Sequence, residues 1–518
     1  MQAANEKELK FELDPADAGR IKRYLGRIAE SKGQRRLTSV YYDTPDFRLH
    51  RAAVTLRVRR AGRRLMQTIK AGGAPTVLLD RPEWEREIKG PKPDLAAAAD
   101  TPVQPLLDGG GSEALRPVFQ TRVKRSIYRL ARRGGHLDVA LDQGEVDTGR
   151  DQAPLCELAI ELADGEIAGM FDLAREVVEL GTLHPSSKTK PDRGYALLGN
   201  GAEPARGKAA IPLAPKMKTA DAFRAIGRAC MAQLVAHEQA SLARDAHALH
   251  QVRVAIRRLR AALSLFSAIV AGEDVEKLKG ELKWLGKQLG PARDADVFIA
   301  EVLTPQREAK PDDAGIAWLL GKFEEARDAG YKAAIEALRS PRYRKLVIDA
   351  LEWIEAGPWT ETADDLKRLQ RDQPVARFAA DELARRRKKI RKGGKKLRRL
   401  DAEKRHKLRI RAKKLRYAME FFAEAFPAKK SAKRRKQALA ALKDFQDALG
   451  ALNDVATREK LASAVALSPG ASSGKKNARQ HAFAAGLVLG TQEAHIPAML
   501  DSAEKAHAKF RKAKPFWA

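Results

Sequence analysis

Polar and apolar residues alternate along short segments in the first two hundred residues. In the segment 6–13 the charged positions are Glu6, Glu8 and Lys10, and apolar residues occupy the other parity. Side chains two apart share a face of a β-strand, so such a segment has one charged and one apolar face. The same pattern predicts further strands around 37–43, 53–60, 64–71, 82–89, 119–131, 135–142 and 155–163. Helical patterns at 14–31 and 165–180 complete this part.

The pattern changes near residue 200. The stretch GNGAEPARGKAAIPLAPK has neither a helical nor a strand period, and long Ala-, Leu-, Lys- and Arg-rich helical patterns follow it. We therefore predict a strand-rich domain at 1–205, a linker at 206–216 and a helical domain at 217–518.

The helical part contains an internal repeat. HQVRVAIRRLRAALSLF at 250–266 aligns without gaps to HKLRIRAKKLRYAMEFF at 406–422. LKWLGKQLGPARDADV at 282–297 likewise aligns to LKDFQDALGALNDVAT at 442–457. Two copies of one helical unit predict a pseudo-two-fold arrangement.

Charge is distributed unevenly along the 518 residues. Residues 1–200 carry 33 basic and 29 acidic side chains, a net +4, which leaves +27 of the total +31 for the remainder. The second part should therefore face a polyanion. Nucleic acid is one candidate, but aromatic residues make up only 6% of the chain, and no aromatic-studded basic segment predicts a stacking surface.

Size and composition also limit the class of protein. No apolar run approaches the length of a membrane span, and the N-terminus MQAANEKELK has no apolar core of the signal-peptide kind. Two cysteines, Cys156 and Cys230, do not make a disulfide framework. We expect a cytoplasmic protein.

Charged faces recur on the predicted strands of the first part. They are formed by Glu6, Glu8 and Lys10; Arg57 and Arg59; Lys70; Glu83, Glu85 and Glu87; Asp138 and Asp142; and Glu157 and Glu161. Any one of them suits a solvated sheet face. Over six strands, however, acidic and basic faces segregate, which favours a closed barrel with a charged interior. Carboxylates would hold a divalent cation there, and Arg and Lys would hold phosphate oxygens.

These residues resemble the CYTH domain of the triphosphate tunnel metalloenzymes. The resemblance covers about 1–200 and rests on an ordered set of motifs: Glu6-x-Glu8-x-Lys10, Tyr42-Asp43-Thr44, Leu56-Arg57-Val58-Arg59, Gln67 to Lys70, Glu83-Trp84-Glu85, Leu137-Asp138, Glu157 to Leu162, and Thr189-Lys190 with Arg193-Gly194-Tyr195. It implies an antiparallel barrel that forms a tunnel and processes triphosphates with a divalent metal.

The resemblance also implies residue roles. Glu6, Glu8 and Lys10 would be catalytic, with the two carboxylates binding metal and orienting the attacking water. The substrate phosphates would be held by Arg57, Arg59, Lys70, Arg125, Lys190 and Arg193. The metal shell, for Mg²⁺ or Mn²⁺, would be Glu6, Glu8, Glu83, Glu85, Glu157 and Glu161. The family often has a third glutamate in the late strand, where this chain has Ala159, so a metal ligand is missing or a second metal site is weakened.

Each repeated helix predicts a cationic stripe headed by histidine. His250, Arg253, Arg257 and Arg260 fall at i, i+3, i+7 and i+10 in the first copy, and His406, Arg409, Lys413 and Arg416 in the second. A single such stripe is usually a solvated face. Its recurrence in register favours a phosphate-rich ligand, because rows of Arg and Lys match rows of phosphate oxygens. Neither histidine is accompanied by His, Cys or carboxylate residues at metal-ligand spacing, so the sequence does not favour a metal site here.

These helices resemble the CHAD domain over about 217–518. The specific matches are His-Gln-x-Arg-Val-x-x-Arg-Arg-Leu-Arg at 250–260 and Leu-Gly-x-x-Arg-Asp-x-Asp at 289–296. The resemblance implies two pseudo-symmetric helical bundles with a basic groove that binds inorganic polyphosphate. The basic run ARRRKKIRKGGKKLRR, ending at residue 399, would fit the groove or its rim.

The fold class expected is therefore α+β, with a barrel tunnel followed by an all-α domain. The leading function is a metal-dependent inorganic triphosphatase, a hydrolase that yields diphosphate and phosphate, joined to a polyphosphate-binding domain and located in the cytoplasm or at polyphosphate granules. One alternative is a non-catalytic polyphosphate-binding protein. A nucleotide-using CYTH enzyme, such as an adenylyl cyclase or a thiamine triphosphatase, is another, and nucleic-acid binding is less favoured.

Overall fold

The computed structural model describes residues 4–72, 76–107, 115–199, 211–466 and 495–517. Side chains are described for these residues except those at 4–6, 79–81 and 454–466.

The first part folds into an antiparallel sheet of nine strands. They are β1 Ala4–Leu13, β2 Glu30–Asp43, β3 Val54–Ala61, β4 Arg64–Ala71, β5 Leu78–Glu87, β6 Arg116–Arg132, β7 Gly135–Asp147, β8 Gln152–Asp164 and β9 Leu183–Pro185. Their order is β5-β4-β3-β2-β6-β7-β8-β1-β9, and β5 also pairs with β1.

The pairing of β1 with two neighbours closes the sheet. The β1 backbone pairs with β5 from Ala4↔Glu83 to Leu9↔Leu78, and with β8 from Glu8↔Glu161 to Glu12↔Glu157. The ladder of eight strands therefore returns to its start, as the predicted barrel requires.

The seven further strands predicted from alternation are all present, and some are longer than expected. Strand β2 begins at Glu30, and its pairing with β6 shifts register between Ser31 and Gln34, where the polar sequence carries no alternation. Strand β5 begins at Leu78, before the predicted start near residue 82.

The apolar side chains of the strands pack into a core on one face of the sheet, and the charged side chains lie on the other face. Leu9 and Phe11 of β1 and Leu158 and Ile160 of β8 are almost completely buried. The helix α3, Ala168–Val178, contacts β7, β8 and β9 and buries most of its residues. This packing leaves the other parity of β1 and β8 for charged side chains.

Seventeen further α-helices follow the same chain order among the described residues. They are α1 Ala18–Ile28, α2 Arg48–Arg51, α4 Lys190–Leu198, α5 Thr219–Ala236, α6 Glu238–Leu242, α7 Ala246–Leu265, α8 Ser267–Val270, α9 Glu273–Gln288, α10 Gly290–Phe298, α11 Thr304–Ala309, α12 Ala314–Arg339, α13 Pro341–Ala356, α14 Asp365–Asp372, α15 Val375–Gly393, α16 Ala402–Phe421, α17 Lys429–Ala466 and α18 Ile496–Lys512. None of the described helices is both long and apolar enough to cross a lipid bilayer.

The internal repeat is visible in the helix boundaries. Helices α7 and α16 both have 20 residues, and each begins after an aspartate N-cap, Asp245 or Asp401, whose side chain accepts a hydrogen bond from a first-turn amide. The second repeated piece differs between the copies. In the first it is split between α9 and α10, where Pro291 lies in the first turn of α10, whereas α17 runs unbroken through Ala451. Proline has no amide hydrogen to continue a helix, which accounts for the break.

The chain forms two compact units. The first contains residues 1–209 with 231–236 and 340–357, and the second contains 210–230, 237–339 and 358–518. Helix α13 thus belongs to the first unit, where Arg175 of α3 donates to Asp349 at 2.9 Å.

Candidate functional site

The charged parity of β1 faces the barrel interior. Glu8 and Lys10 are only 8% and 9% exposed, and Nζ of Lys10 lies 3.5 Å from Oε2 of Glu8. The backbone of Glu6 lies in β1, but its side chain is outside the described part of the structure. Glu12 continues the same parity.

Side chains from several strands converge inside the barrel. Burial opposes the charge of Arg125 on β6, but nearby carboxylates raise its pKa overall. These carboxylates are Asp142 on β7, Glu8 on β1 and Glu157 on β8. Strands on different sides of a closed sheet can bring their side chains together only on its inner face. These residues therefore line one shared interior.

A buried chain of ion pairs crosses β6, β7 and β8. Arg125 donates from Nε and Nη2 to the two oxygens of Asp142, both at 2.7 Å, and Nζ of Lys190 lies 2.9 Å from Asp142 and 2.6 Å from Glu157. Burial opposes ionisation of Asp142, but Lys190 and Arg125 hold the pKa of that carboxyl far below its usual range. Burial also opposes the charge on Lys190, but Glu157 and Asp142 raise its pKa overall.

The start of α4 places two of these cations. Thr189 and Asp192 form a capping box, in which each side chain bonds the other's backbone amide, and Pro191 lies in the first turn. The box fixes Lys190 at the first helical position and Arg193 one turn later. Nε of Arg193 lies 3.1 Å from Glu157.

Glu12 takes part in this cluster. Its carboxylate lies 2.8 Å from Nη2 of Arg193 and accepts a hydrogen bond from Oγ of Ser186 at 2.6 Å. Sequence reasoning did not include Glu12 or Asp142 among the site residues. Glu12 lies on the parity of Glu8 and Lys10, and Asp142 lies on a charged strand face that was noted but given no role, so the alternation itself was the available signal.

Arg57 and Arg59 form a second cationic group inside the barrel. Nε of Arg59 donates to Oγ of Ser39 at 3.2 Å. Burial, with Arg57 and Arg125 nearby, lowers the pKa of Arg59 to about 9. This guanidinium is therefore in a positively charged, poorly hydrated place that an anion would stabilise.

Tyr41 lies beside these arginines and was also missed. It pairs with Arg57 across the β2–β3 ladder and is 2% exposed. Burial alone would raise the pKa of Tyr41, but the charges of Arg57, Arg59 and Lys190 lower it overall. The phenol thus reports a local excess of positive charge. Its neighbour Tyr42, quoted in the sequence motif, faces the other way into an apolar cluster.

The predicted residues of β4 and β5 pair with each other. Nζ of Lys70 lies 2.8 Å from Glu83, and Nη2 of Arg57 lies 4.0 Å from the same carboxylate. Glu85 is more exposed and accepts a hydrogen bond from Oγ1 of Thr68 at 2.9 Å.

The residues predicted to bind metal make different contacts in the structure. Among the described side chains, no group of three or more His, Cys, Asp or Glu residues is arranged to hold a metal ion. Glu83 contacts Lys70, Glu157 contacts Lys190, and Glu8 lies 3.5 Å from Lys10. Glu8 and Glu161 are direct partners in the β1–β8 ladder. Like charges opposite each other are unfavourable unless a cation lies near both, and carboxylate oxygens are what a hard divalent cation prefers. Glu8 and Glu161 thus fit such an ion, and the full set of six carboxylates stays a prediction.

Ala159, where the family often has glutamate, faces the interior opposite Lys10 of β1 and Ala140 of β7. The absent carboxylate would therefore have been next to the Glu8–Glu161 pair.

The cationic stripe of α7 meets α10. Nη2 of Arg253 lies 3.4 Å from Asp294, and a Cβ atom at Gly290 would lie 3.2 Å from Nη1 of Arg253. Nε and Nη1 of Arg253 are buried and have no hydrogen-bond acceptor in the described part of the chain. Burial, followed by the charges of Arg293 and Arg257, lowers the pKa of His250 to about 4.

The stripe of α16 meets α17 in the same way. Nδ1 of His406 lies 2.5 Å from Oδ1 of Asn453, and a Cβ atom at Gly450 would lie 3.4 Å from Nη2 of Arg409. Arg416 also lies 3.6 Å from Glu420. In the alignment of the two copies, Asn453 occupies the position of Arg293. His250 therefore lies near Arg293 and His406 contacts Asn453, and these two partners occupy equivalent positions of the second repeated piece.

Not all predicted residues of the stripes are equally placed. Arg260 is exposed at the end of the α7 stripe, and Arg257 and Lys413 are partly buried. Arg293 was not among the predicted site residues, although it lies in the quoted Leu-Gly-x-x-Arg-Asp motif. That motif was the available signal.

Two domain families match this chain in sequence. The CYTH domain model matches residues 4–195, and the CHAD domain model matches residues 225–463.

Individual relatives match parts of the chain. An inorganic triphosphatase of Haemophilus influenzae is 28% identical over 200 residues, which cover 37% of this chain and 54% of that protein. An uncharacterized protein of Mycobacterium tuberculosis is 27% identical over 363 residues, which cover 63% of this chain and 64% of the other. The matches thus span less than two thirds of either relative.

Among solved structures, the CHAD domain from the plant Ricinus communis is similar, with 30% identity and a TM-score of 0.46. The match covers 58% of this chain and 94% of that one. With both domain models matched in order, the chain belongs to the proteins that join a CYTH domain to a CHAD domain.

Proposed function

We propose that the barrel hydrolyses inorganic triphosphate to diphosphate and phosphate with the help of Mg²⁺ or Mn²⁺. The observation that carries the proposal is the grouping of Arg57, Arg59 and Arg125 in one interior, where the partly buried guanidinium of Arg59 donates to Ser39 and has its pKa lowered to about 9. Such a charge is costly beside other cations and becomes favourable when a phosphate group lies against it. The similarity to an inorganic triphosphatase supports the same assignment.

The other interior cations would complete the binding of a short phosphate chain. Lys10, Lys70, Lys190 and Arg193 come from three different elements, β1, β4 and α4, and face the same interior. Phosphoryl transfer depends mostly on positioning and on neutralising the charge of the phosphate oxygens. Each of these cations has a carboxylate within 4 Å. The carboxylates hold the cations in place, and a phosphate chain would bind by sharing them.

Glu8 and Glu161, with Glu6 from the same parity of β1, would hold the divalent cation. When bound, that ion would supply charge neutralisation at the phosphate oxygens. Glu8 would also orient the attacking water, and Lys10, 3.5 Å from it, would bind the adjoining phosphate. Ala159 contributes no ligand, so the ion would rest on fewer carboxylates than the family pattern provides.

We further propose that the helical unit binds inorganic polyphosphate. The supporting observation is Arg253, whose Nε and Nη1 are buried and lack an acceptor among the described residues. Its counterpart Arg409 lies against Gly450 in the second copy. Two equivalent arginines, each below a histidine on a cationic helix, suit a linear chain of phosphates. This role would also be compatible with location at polyphosphate granules.

Phosphate release from the purified full-length protein tests the catalytic proposal. Inorganic triphosphate, ATP, thiamine triphosphate and long-chain polyphosphate would each be assayed with Mg²⁺, Mn²⁺ or EDTA. We expect metal-dependent release that is fastest with inorganic triphosphate. Faster turnover of ATP or thiamine triphosphate would replace the substrate. Absence of turnover with every metal, while polyphosphate binds tightly, would leave the non-catalytic binding protein.

A further inference from the structure

Cations from three helices meet where the α7 stripe ends. Lys414 of α16 and Arg386 of α15 both donate to Ser264 of α7: Nζ of Lys414 to Oγ at 3.5 Å, and Nη2 of Arg386 to the backbone oxygen at 2.7 Å. Ser264 lies one turn after Arg260, the last residue of the stripe. Burial, with Arg386, Arg260 and Lys279 nearby, lowers the pKa of Lys414.

Carboxylates neutralise this junction only in part. Glu382 contacts Arg386 at 3.1 Å, and Glu276 contacts Lys279 at 2.7 Å. Within the described ranges, neither Arg260 nor Lys414 has an ion-pair partner. The junction therefore keeps a net positive charge next to the α7 stripe.

The positive charge continues along α15. Lys388, Lys389 and Lys392 are exposed, and none of them forms an ion pair with another described residue. Lys389 lies one turn after Arg386, and Lys392 lies one turn after Lys388 and Lys389, so neighbouring cations are within reach of one ligand. The opposite side of the helix is occupied, since Arg387 donates to the backbone oxygen of Ala513 at 2.5 Å.

We propose that the α7 stripe, the junction at Ser264 and Lys388, Lys389 and Lys392 form one continuous track for long inorganic polyphosphate. The inference rests on the polyphosphate binding proposed above and extends it to chain length. The α7 stripe spans about 15 Å, and the α15 segment adds about 9 Å after Arg386. A short chain fills the stripe alone, whereas a long chain also contacts α15.

The track favours polyphosphate over nucleic acid. Binding of single-stranded nucleic acid usually adds aromatic side chains on which bases stack. The exposed large hydrophobic residues of the described chain are Leu366, Leu369 and Ile410, none of which is aromatic. Lysines on a solvent-facing helix act as point charges and suit a ligand made of phosphate alone.

Binding of long-chain and short defined-length polyphosphate to the full-length protein tests the track. The variant K388Q/K389Q/K392Q would be compared with K22Q/K89Q/K92Q, which removes the same charge from exposed lysines of the first unit. We expect the α15 variant to lose about tenfold in affinity for the long chain and to keep that for the short chain. Its slope of log affinity against log salt should fall by about two to three for the long chain. The control should leave both affinities within about twofold, which separates a local contact from net charge.

The outcomes distinguish this inference from the function on which it rests. Failure of the parent protein to bind either polyphosphate would overturn both. Binding by the parent, with the same ratio of long- to short-chain affinity in the α15 variant, would overturn the track alone. The α15 variant could instead lose affinity for duplex DNA at matched salt and keep its affinity for long polyphosphate. That result would assign this face to nucleic acid and would also overturn the track. Thermal unfolding of both variants should match the parent, because all six lysines are exposed.

Discussion

The guanidinium of Arg253 occupies the space that a side chain at Gly290 would need. A Cβ atom at Gly290 would lie 3.2 Å from Nη1 of Arg253, which is closer than an ordinary van der Waals contact. The second copy repeats the relationship, with Arg409 against Gly450 at 3.4 Å. Both copies thus use a glycine to seat an arginine of the cationic stripe.

We therefore predict that Gly290→Ala weakens polyphosphate binding several-fold without unfolding the protein. The methyl group would displace the flexible end of Arg253. In a helix, alanine is favoured over glycine by about 0.5–1 kcal/mol, which offsets the crowding. Titration with polyphosphate and thermal unfolding would measure the two effects.

Gly286→Ala is the matched control, since its Cβ would meet only Ile256, at 4.0 Å. It should raise the unfolding temperature and leave the affinity unchanged. Equal affinities of the two alanine variants would contradict the role given to Arg253.

Because of its charge, Arg59 is expected to lower the stability of the ligand-free protein while it strengthens substrate binding. Arg59→Gln should stabilise the ligand-free protein by about 1–3 kcal/mol, because it removes a buried charge placed beside Arg57 and Arg125. It should also weaken triphosphate binding at least tenfold. Thermal unfolding with and without triphosphate measures both.

Arg60→Gln provides the comparison, because Arg60 is the next residue and is exposed. This variant should behave like the parent protein in both measurements. A destabilised Arg59→Gln protein would show that the guanidinium is already well paired without an anion.

The buried pair of Asp142 and Lys190 predicts the pH range over which the barrel is stable. The pKa of Asp142 is lowered in the folded state, so its contribution is present above the ordinary value of 3.8 and is lost as pH falls below it. The pKa of Lys190 is raised, so its contribution is present below 10.5 and is lost as pH rises beyond it. The unfolding temperature should therefore be highest between these limits.

Asp142→Asn should lower the stability at neutral pH by about 3–5 kcal/mol, because Lys190 and Arg125 lose a buried partner. The loss should shrink as pH falls below 4. Asp138→Asn is the control, since the Asp138 side chain is 42% exposed and its contact with Arg129 is 3.7 Å long. An exposed pair of that kind contributes about 0–1 kcal/mol. Equal losses in the two variants would contradict the importance of the buried pair.

Much of the fold follows from local patterns in the sequence. Alternation requires only the two-residue period of a strand, and it correctly separates Glu8 and Lys10 from Leu9 and Phe11. The repeat likewise predicts α7 and α16, because helical period and an aspartate N-cap are both local signals.

The contacts inside the site could not be predicted in this way. The meeting of Lys190 with Asp142 depends on the placement of α4 beside β6 and β7, and that of Glu8 with Glu161 on the register of β1 against β8. Register and helix placement are set by packing over the whole domain. For the same reason the sequence could not show that Glu83 contacts Lys70 and that Glu157 contacts Lys190.

The most direct test of the catalytic account is turnover by Glu8→Gln. The account predicts that this variant still binds inorganic triphosphate, because Arg57, Arg59 and Arg125 are unchanged, but releases phosphate at least a hundredfold more slowly in Mg²⁺ or Mn²⁺. Glu145→Gln, which alters a carboxylate paired with the half-exposed Arg122, should turn over triphosphate at the parent rate. Phosphate release by Glu8→Gln at the parent rate would contradict the account.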